Sequence, residues 1–222
     1  MSLLSPERVI EAVLFDLDGT LILSEDRTDA AVRALLAEEG IVDLSGVDLS
    51  DFHGVTWDSI ARTLVARWPV LEGGDVARAL QGNFHQTFIA DPPRAVPGAR
   101  EAVAAASSQM PVAIVTSSNR QTLDLVCEQL QLTGLLTTTV CAEDCRESKP
   151  SPQPFIFAAE RLNVAPERCL IFEDSVAGVR AGLAAGAAVI AVGPESGHVP
   201  WIADHEALPP DFFAHSTEDT DG

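Results

Sequence analysis

The rhythm of apolar and polar positions changes twice along this chain. Val13-Leu14-Phe15 is a continuous apolar run that stops at Asp16, with a second acid, Asp18, two positions on. Val and Phe favour an extended backbone, so the run predicts a buried strand ending near Phe15. From about residue 23 the spacing becomes helical. Arg27 to Glu39 puts Ala31, Val32, Leu35 and Leu36 on one face, and Gly40 stops it. Asp58 to Trp68 predicts a second helix, halted by Pro69, and Asp75 caps a third that reaches about Ala90. Asp91-Pro92-Pro93 reads as a linker.

Beyond the linker, short apolar runs alternate with helical spacing. Helices are expected from Pro97-Gly98 to Ser107, from Arg120 to Leu130, from Pro152 to Leu162 and from Ser175 to Ala185. Strands are expected at Val112–Val115, more weakly at Leu135–Val140, then at Cys169–Phe172 and Ala188–Val192. Apolar strands alternating with helices imply a parallel sheet covered on both faces. The first strand must join that sheet, because an isolated strand cannot bury both of its faces. The expected fold is therefore α/β: a Rossmann-like parallel-sheet core from residues 1–22 and 94–222, interrupted by an all-helical cap domain at 23–93. The polar tail from Ala214 to Gly222 is expected to fray.

Composition narrows the partners. A chain of 222 residues with 46% hydrophobic content can fill a core, and Lys+Arg 14 against Asp+Glu 33 gives a net charge of −19. Such a charge disfavours nucleic acid and anionic membranes. It also means that a phosphate site needs local positive charge. Met1 to Ala12 carries Glu7, Arg8 and Glu11 without a long apolar run, and the run from Ala181 to Gly193 is too short to span a bilayer. A cytoplasmic protein is the expectation. Cys127, Cys141, Cys145 and Cys169 complete no zinc pattern and read as free thiols.

Chemistry collects at the carboxyl ends of the predicted strands, where open parallel sheets bind ligands. Side chains two apart on an extended segment point the same way, so Asp16 and Asp18 face one small volume, and Gly19 permits a turn there. Two carboxylates so close call for a cation, a proton or both, and oxygen donors suit Mg2+. A solvated acidic turn is the plainer alternative. The second core strand ends in Thr116-Ser117-Ser118-Asn119, which is either an anion site at a helix start or an ordinary N-cap. Lys149 lies in a proline-rich loop, Ser148-Lys149-Pro150-Ser151-Pro152, as a fixed ammonium or an exposed lysine. The fourth core strand ends in Glu173-Asp174-Ser175, which either completes an oxygen cage or caps the next helix. Four such ends on one rim favour a functional site.

With these motifs in place, the chain resembles the haloacid dehalogenase superfamily, in the group with a helical cap inserted after the first strand. Phosphoglycolate phosphatases, sugar phosphatases and β-phosphoglucomutase belong to that group. Asp16-Leu17-Asp18-Gly19-Thr20 resembles the first family motif, Thr116 the second, Lys149-Pro150 the third and Glu173-Asp174 the fourth. The resemblance implies a Mg2+-dependent phosphatase of small phosphorylated metabolites, of sugar phosphate or phosphoglycolate type. Asp16 would be the nucleophile and Asp18 the acid and base. Thr116, the Ser117 amide and Lys149 would hold phosphoryl oxygens. Asp16, the Asp18 carbonyl and Asp174 would hold the metal, with Glu173 a ligand or a supporting group. His53, ahead of the helix with Trp57 and Asp58, falls near the family's substrate loop. The alternatives are a β-phosphoglucomutase-like isomerase and a non-catalytic binding protein. The stretch 51–58 has no Lys or Arg, and Leu23-Ser24-Glu25 and Thr28 stand where the family often has an Asp-Ser-Glu run and a His.

Overall fold

A computed structural model describes residues 3, 8–53, 55–193 and 199–214; the rest of the tail expected to fray, 215–222, lies outside them. The chain forms two compact units, Met1–Ile22 with Ala95–Gly222, and Leu23–Arg94.

The chain begins with β1 (Ala12–Phe15) and β2 (Ile22–Leu23). The second unit then carries α1 (Glu25–Glu38), α2 (Trp57–Arg67) and α3 (Val76–Ala90), with α3 packed on both of the others. Ala31, Val32, Leu35 and Leu36 are the buried face of α1. The Asp75 carboxylate accepts from Arg78 N at 3.1 Å and starts α3, and the Thr56 hydroxyl accepts from Ser59 N at 3.4 Å and starts α2. Trp57, Phe84 and Phe88 form a ring cluster between α2 and α3, with centroids 5.2 and 6.0 Å apart.

After β3 (Arg94–Ala95), at the boundary, the first unit continues with α4 (Ala99–Ser107), β4 (Val112–Val115), α5 (Arg120–Gln129) and β5 (Thr138–Val140). It ends with α6 (Gln153–Leu162), β6 (Cys169–Glu173), α7 (Val176–Ala184), β7 (Ala188–Val192) and β8 (Trp201–Ile202). The main sheet has the order β5-β4-β1-β6-β7-β8 and every neighbouring pair is parallel, while β2 and β3 form a separate two-stranded ribbon. This is the α/β architecture with flanking helices that the alternating pattern implies. Two details differ. The third core strand is shorter than Leu135–Val140, because Leu135 N is turned back to Leu132 O at 2.9 Å after Gly134 takes φ +86°. A sixth strand, β8, also joins the sheet; two residues are too short to leave a periodic signal.

Alternation along β1 sets the two faces of the sheet. Ala12 and Leu14 join Ala113, Val115, Ile171 and Val189 in a core with Phe155 and Ala158 of α6 and Val179 and Ala181 of α7. Phe15 and Phe172, register partners on β1 and β6, stack with centroids 5.0 Å apart. Each is the residue immediately before an acid, Asp16 and Glu173. Packing at these two rings therefore fixes where the acids emerge. The four cysteines are free thiols.

Candidate active site

The parallel register carries β1, β4 and β6 to one edge, and the next few residues of each turn toward a common centre. Asp16 continues the ladder, its N–H bonding Phe172 O at 2.9 Å. Its carboxylate is buried and pairs with the Lys149 ammonium. Lys149 Nζ also donates to Glu173 Oε1 at 2.7 Å and to Val115 O at 3.1 Å, and stands 5.0 Å from the centroid of the Phe155 ring. An ammonium has three donors, and all three are used here. The Lys149 side chain is 2% exposed. It is also the single lysine of the chain, the other 13 of its 14 Lys and Arg residues being arginine.

Burial by itself would lower the Lys149 pKa, but the charges of Asp16 and Glu173 outweigh it and hold the ammonium above its usual value. Burial pushes the Asp16 carboxyl well up, Lys149 pulls it back, and Glu173 and Asp18 push it further up. One cation is thus shared among several acids. Asp16, Glu173 and Asp174 each bring a carboxylate oxygen within 4.8 Å of the others. These donors are all oxygen and partly buried, and with both Glu173 oxygens engaged by Lys149 and Ser175, Asp16 and Asp174 are the carboxylates that fit a hard divalent ion of the Mg2+ kind.

Glu173 is held from both sides. Oε1 accepts from Lys149, and Oε2 accepts from Ser175 N at 2.7 Å and Ser175 Oγ at 3.0 Å. Ser175 Oγ in turn accepts from Gly178 N at 3.0 Å, so the same serine caps α7. Gly178 has to be glycine, because a Cβ there would stand 1.6 Å from Glu173 Oε1. Asp174 Oδ1 accepts from the Thr20 hydroxyl at 3.3 Å.

Asp18 is half-buried, and its Oδ2 accepts from Ser118 Oγ at 2.7 Å and from Thr116 Oγ1 at 3.3 Å. The Thr116 hydroxyl also accepts from Ser118 N at 2.9 Å. The helix start here is capped by Asn119, whose side chain accepts from Thr122 N at 2.9 Å, which leaves the two hydroxyls to face Asp18. Ser117 lies between them, half-buried. The chain thus brings Asp16, Asp18, Thr116, Lys149, Glu173 and Asp174 together. His53 lies in the helical unit, where Nε2 meets Asp29 Oδ1 at 3.0 Å.

Gly178 plays a part that sequence reasoning did not single out, while Thr20 and Ser118 stood only within their motifs and Ser175 only as a cap for the next helix, which it is. The signal was faint but present: a serine two after Thr116, and a serine and a glycine two and five after Glu173.

A haloacid dehalogenase-like hydrolase family model matches residues 10–186. Hexitol phosphatase B of Escherichia coli (strain K12) is 32% identical over 191 residues, covering 82% of this chain and 83% of that protein. Validoxylamine A 7'-phosphate phosphatase of Streptomyces hygroscopicus subsp. limoneus is 31% identical over 212 residues, covering 89% of each chain. Among solved structures, CbbY from Rhodobacter sphaeroides in complex with phosphate superposes with a TM-score of 0.75 at 25% identity, covering 90% of this chain and 96% of that one.

Proposed function

The chain belongs to the haloacid dehalogenase-like hydrolase family and is a phosphoric monoester hydrolase, and from that premise we propose that it hydrolyses small phosphorylated sugar-type metabolites through an aspartyl phosphate on Asp16. One observation carries the mechanism: a buried carboxylate on a strand end, held by the only lysine of the chain, with a second carboxylate two residues away under two hydroxyls.

Asp16 attacks phosphorus in line while the bond to the leaving oxygen breaks, and Asp18 gives that oxygen its proton. Asp18, now ionised, takes a proton from water as the water oxygen attacks the phosphoryl group, and Asp16 is released. Thr116, the Ser117 amide and Lys149 hold and offset the charge of the phosphoryl oxygens. Lys149 acts chiefly through its field, since its three donors are already used by Asp16, Glu173 and Val115. Asp16, Asp174 and the Asp18 carbonyl would hold Mg2+, and Glu173 orients Lys149 because both of its oxygens are engaged. When bound, Mg2+ supplies positive charge against the phosphoryl oxygens.

The helical unit is the cap that selects substrate, with His53 as a contact restrained by Asp29. Hydrolysis is favoured over isomerisation because residues 51–58 offer no Lys or Arg for a second phosphate. The test is phosphate release from a panel of sugar, sugar-alcohol and two-carbon acid phosphates. Release from none of them refutes the reading. Glucose 6-phosphate appearing faster than free phosphate, from β-glucose 1-phosphate with a trace of the 1,6-bisphosphate, replaces it with a mutase.

A further inference from the structure

Residues 187–222 fall outside the stretch matched by the family model, yet part of this C-terminal segment reaches the catalytic loop. His205 is 4% exposed, and its Nε2 lies 2.9 Å from the carbonyl oxygen of Thr20. A carbonyl only accepts, so Nε2 carries the proton and Nδ1 the lone pair. Thr20 is fully buried, and its hydroxyl donates to Asp174. One residue thus connects the C-terminal segment to an acid of the site.

We propose that His205 is a positioning residue: by donating from Nε2 to the Thr20 carbonyl, the C-terminal segment holds the turn that carries Asp18 and Thr20 in place against Asp174. The proposal rests on the phosphatase reading of that site.

Three observations support it. The imidazole sits against both strand-end rings, with centroids 5.8 Å from Phe15 and 5.5 Å from Phe172, the residues that precede Asp16 and Glu173. The segment itself is anchored: His205 N donates to Pro97 O at 3.1 Å, and Gly98 takes φ +72° with its missing Cβ position 2.8 Å from Glu206 N. A side chain at residue 98 would push the segment away. Finally, Nδ1 is buried with no partner among the described residues. A buried acceptor without a donor costs stability, and a phenyl group would fill the same aromatic cage without that cost. Filling the cage alone would be served as well by phenylalanine, so the Nε2–H bond to the Thr20 carbonyl is what the imidazole adds.

The experiment compares His205→Phe, which keeps the ring and loses the donor, with His205→Gln, which returns an N–H near the Nε2 position. His205→Phe removes the cost of the unpaired Nδ1 and leaves the buried Thr20 carbonyl without its donor, two costs of similar size, so it should melt within about 3 °C of the native protein. Its kcat on the best phosphomonoester should fall about 10-fold and its Mg2+ half-saturation rise about 10-fold, with KM shifting less than about twofold. His205→Gln should recover most of both losses. A His205→Phe enzyme with native kcat and native Mg2+ dependence overturns the proposal while leaving the phosphatase reading intact. Long-range 1H–15N correlation of the native, metal-free protein tests it without any variant. The Nε2–H tautomer is expected, and an Nδ1–H tautomer overturns the proposal. A native protein that releases phosphate from nothing overturns the phosphatase reading instead.

Discussion

Lys149→Met is the most searching perturbation of the site. Methionine matches the length of the lysine stem and removes only the charge and the three donors. What remains is Asp16 and Glu173, both buried, each without the partner that the ammonium supplied. Removing one member of a buried ion pair costs about 3–5 kcal/mol, because the other charge is left uncompensated. At about 2–4 °C per kcal/mol for a domain of this size, Tm should fall by roughly 6–20 °C near pH 8. The penalty should shrink in acid. Without Lys149 the Asp16 carboxyl, already pushed up by burial, rises further. Between its unfolded value and that raised folded value the native state binds the extra proton, so stability increases as pH falls through the window. Thermal melts in chelator at pH 5 and pH 8, native beside variant, read both effects. A Tm within about 2 °C of native at pH 8, or an equal loss at both pH values, would show that the ammonium does not offset these acids. Phosphate release measured on the folded variant should fall below about a thousandth of native, because the same charge faces the phosphoryl group.

Asp16→Asn should keep the fold and lower turnover below about a hundredth of native; higher turnover removes Asp16 from the nucleophile's role. Phosphate release should vanish in chelator and return with Mg2+, while Ca2+, with its looser coordination, should inhibit; full activity in excess chelator refutes this. Gly178→Ala should displace Glu173 and with it Lys149, giving lower Tm and at least a tenfold loss of activity, about the cost of disturbing a supporting group. A Gly178→Ala enzyme with native Tm and rate would mean that the Glu173 position is not needed.

The order of elements and the acids at strand ends were legible because each is a local pattern. Continuous apolar runs of four or five residues fix β1, β4, β6 and β7, and the acids that follow β1 and β6 mark one site. What escaped was carried by single contacts between distant residues. Thr20 and His205 are 185 residues apart, and neither the two-residue strand β8 nor a lone histidine announces the pairing. The glycine at 178 looks merely expensive in a helix until the carboxylate it must clear is known. Glu173 was ambiguous for the same reason: only the Ser175 and Lys149 contacts show that its oxygens are engaged.

One cue lay in the sequence without any need of geometry. Lys+Arg number 14, and only one of them is lysine. Arginine supplies positive charge everywhere else on a chain of net charge −19, so the exception marks a position where guanidinium will not serve. The pocket among Asp16, Glu173, Val115 O and Phe155 admits a compact ammonium with three donors at its tip. A planar fork with five N–H groups would leave donors unpaired in the same space, and a buried unpaired donor is costly. Lys149→Arg should therefore fail like Lys149→Met in activity despite keeping the charge. An arginine variant with native turnover would show that charge alone, and not the shape of the ammonium, selects the residue at 149.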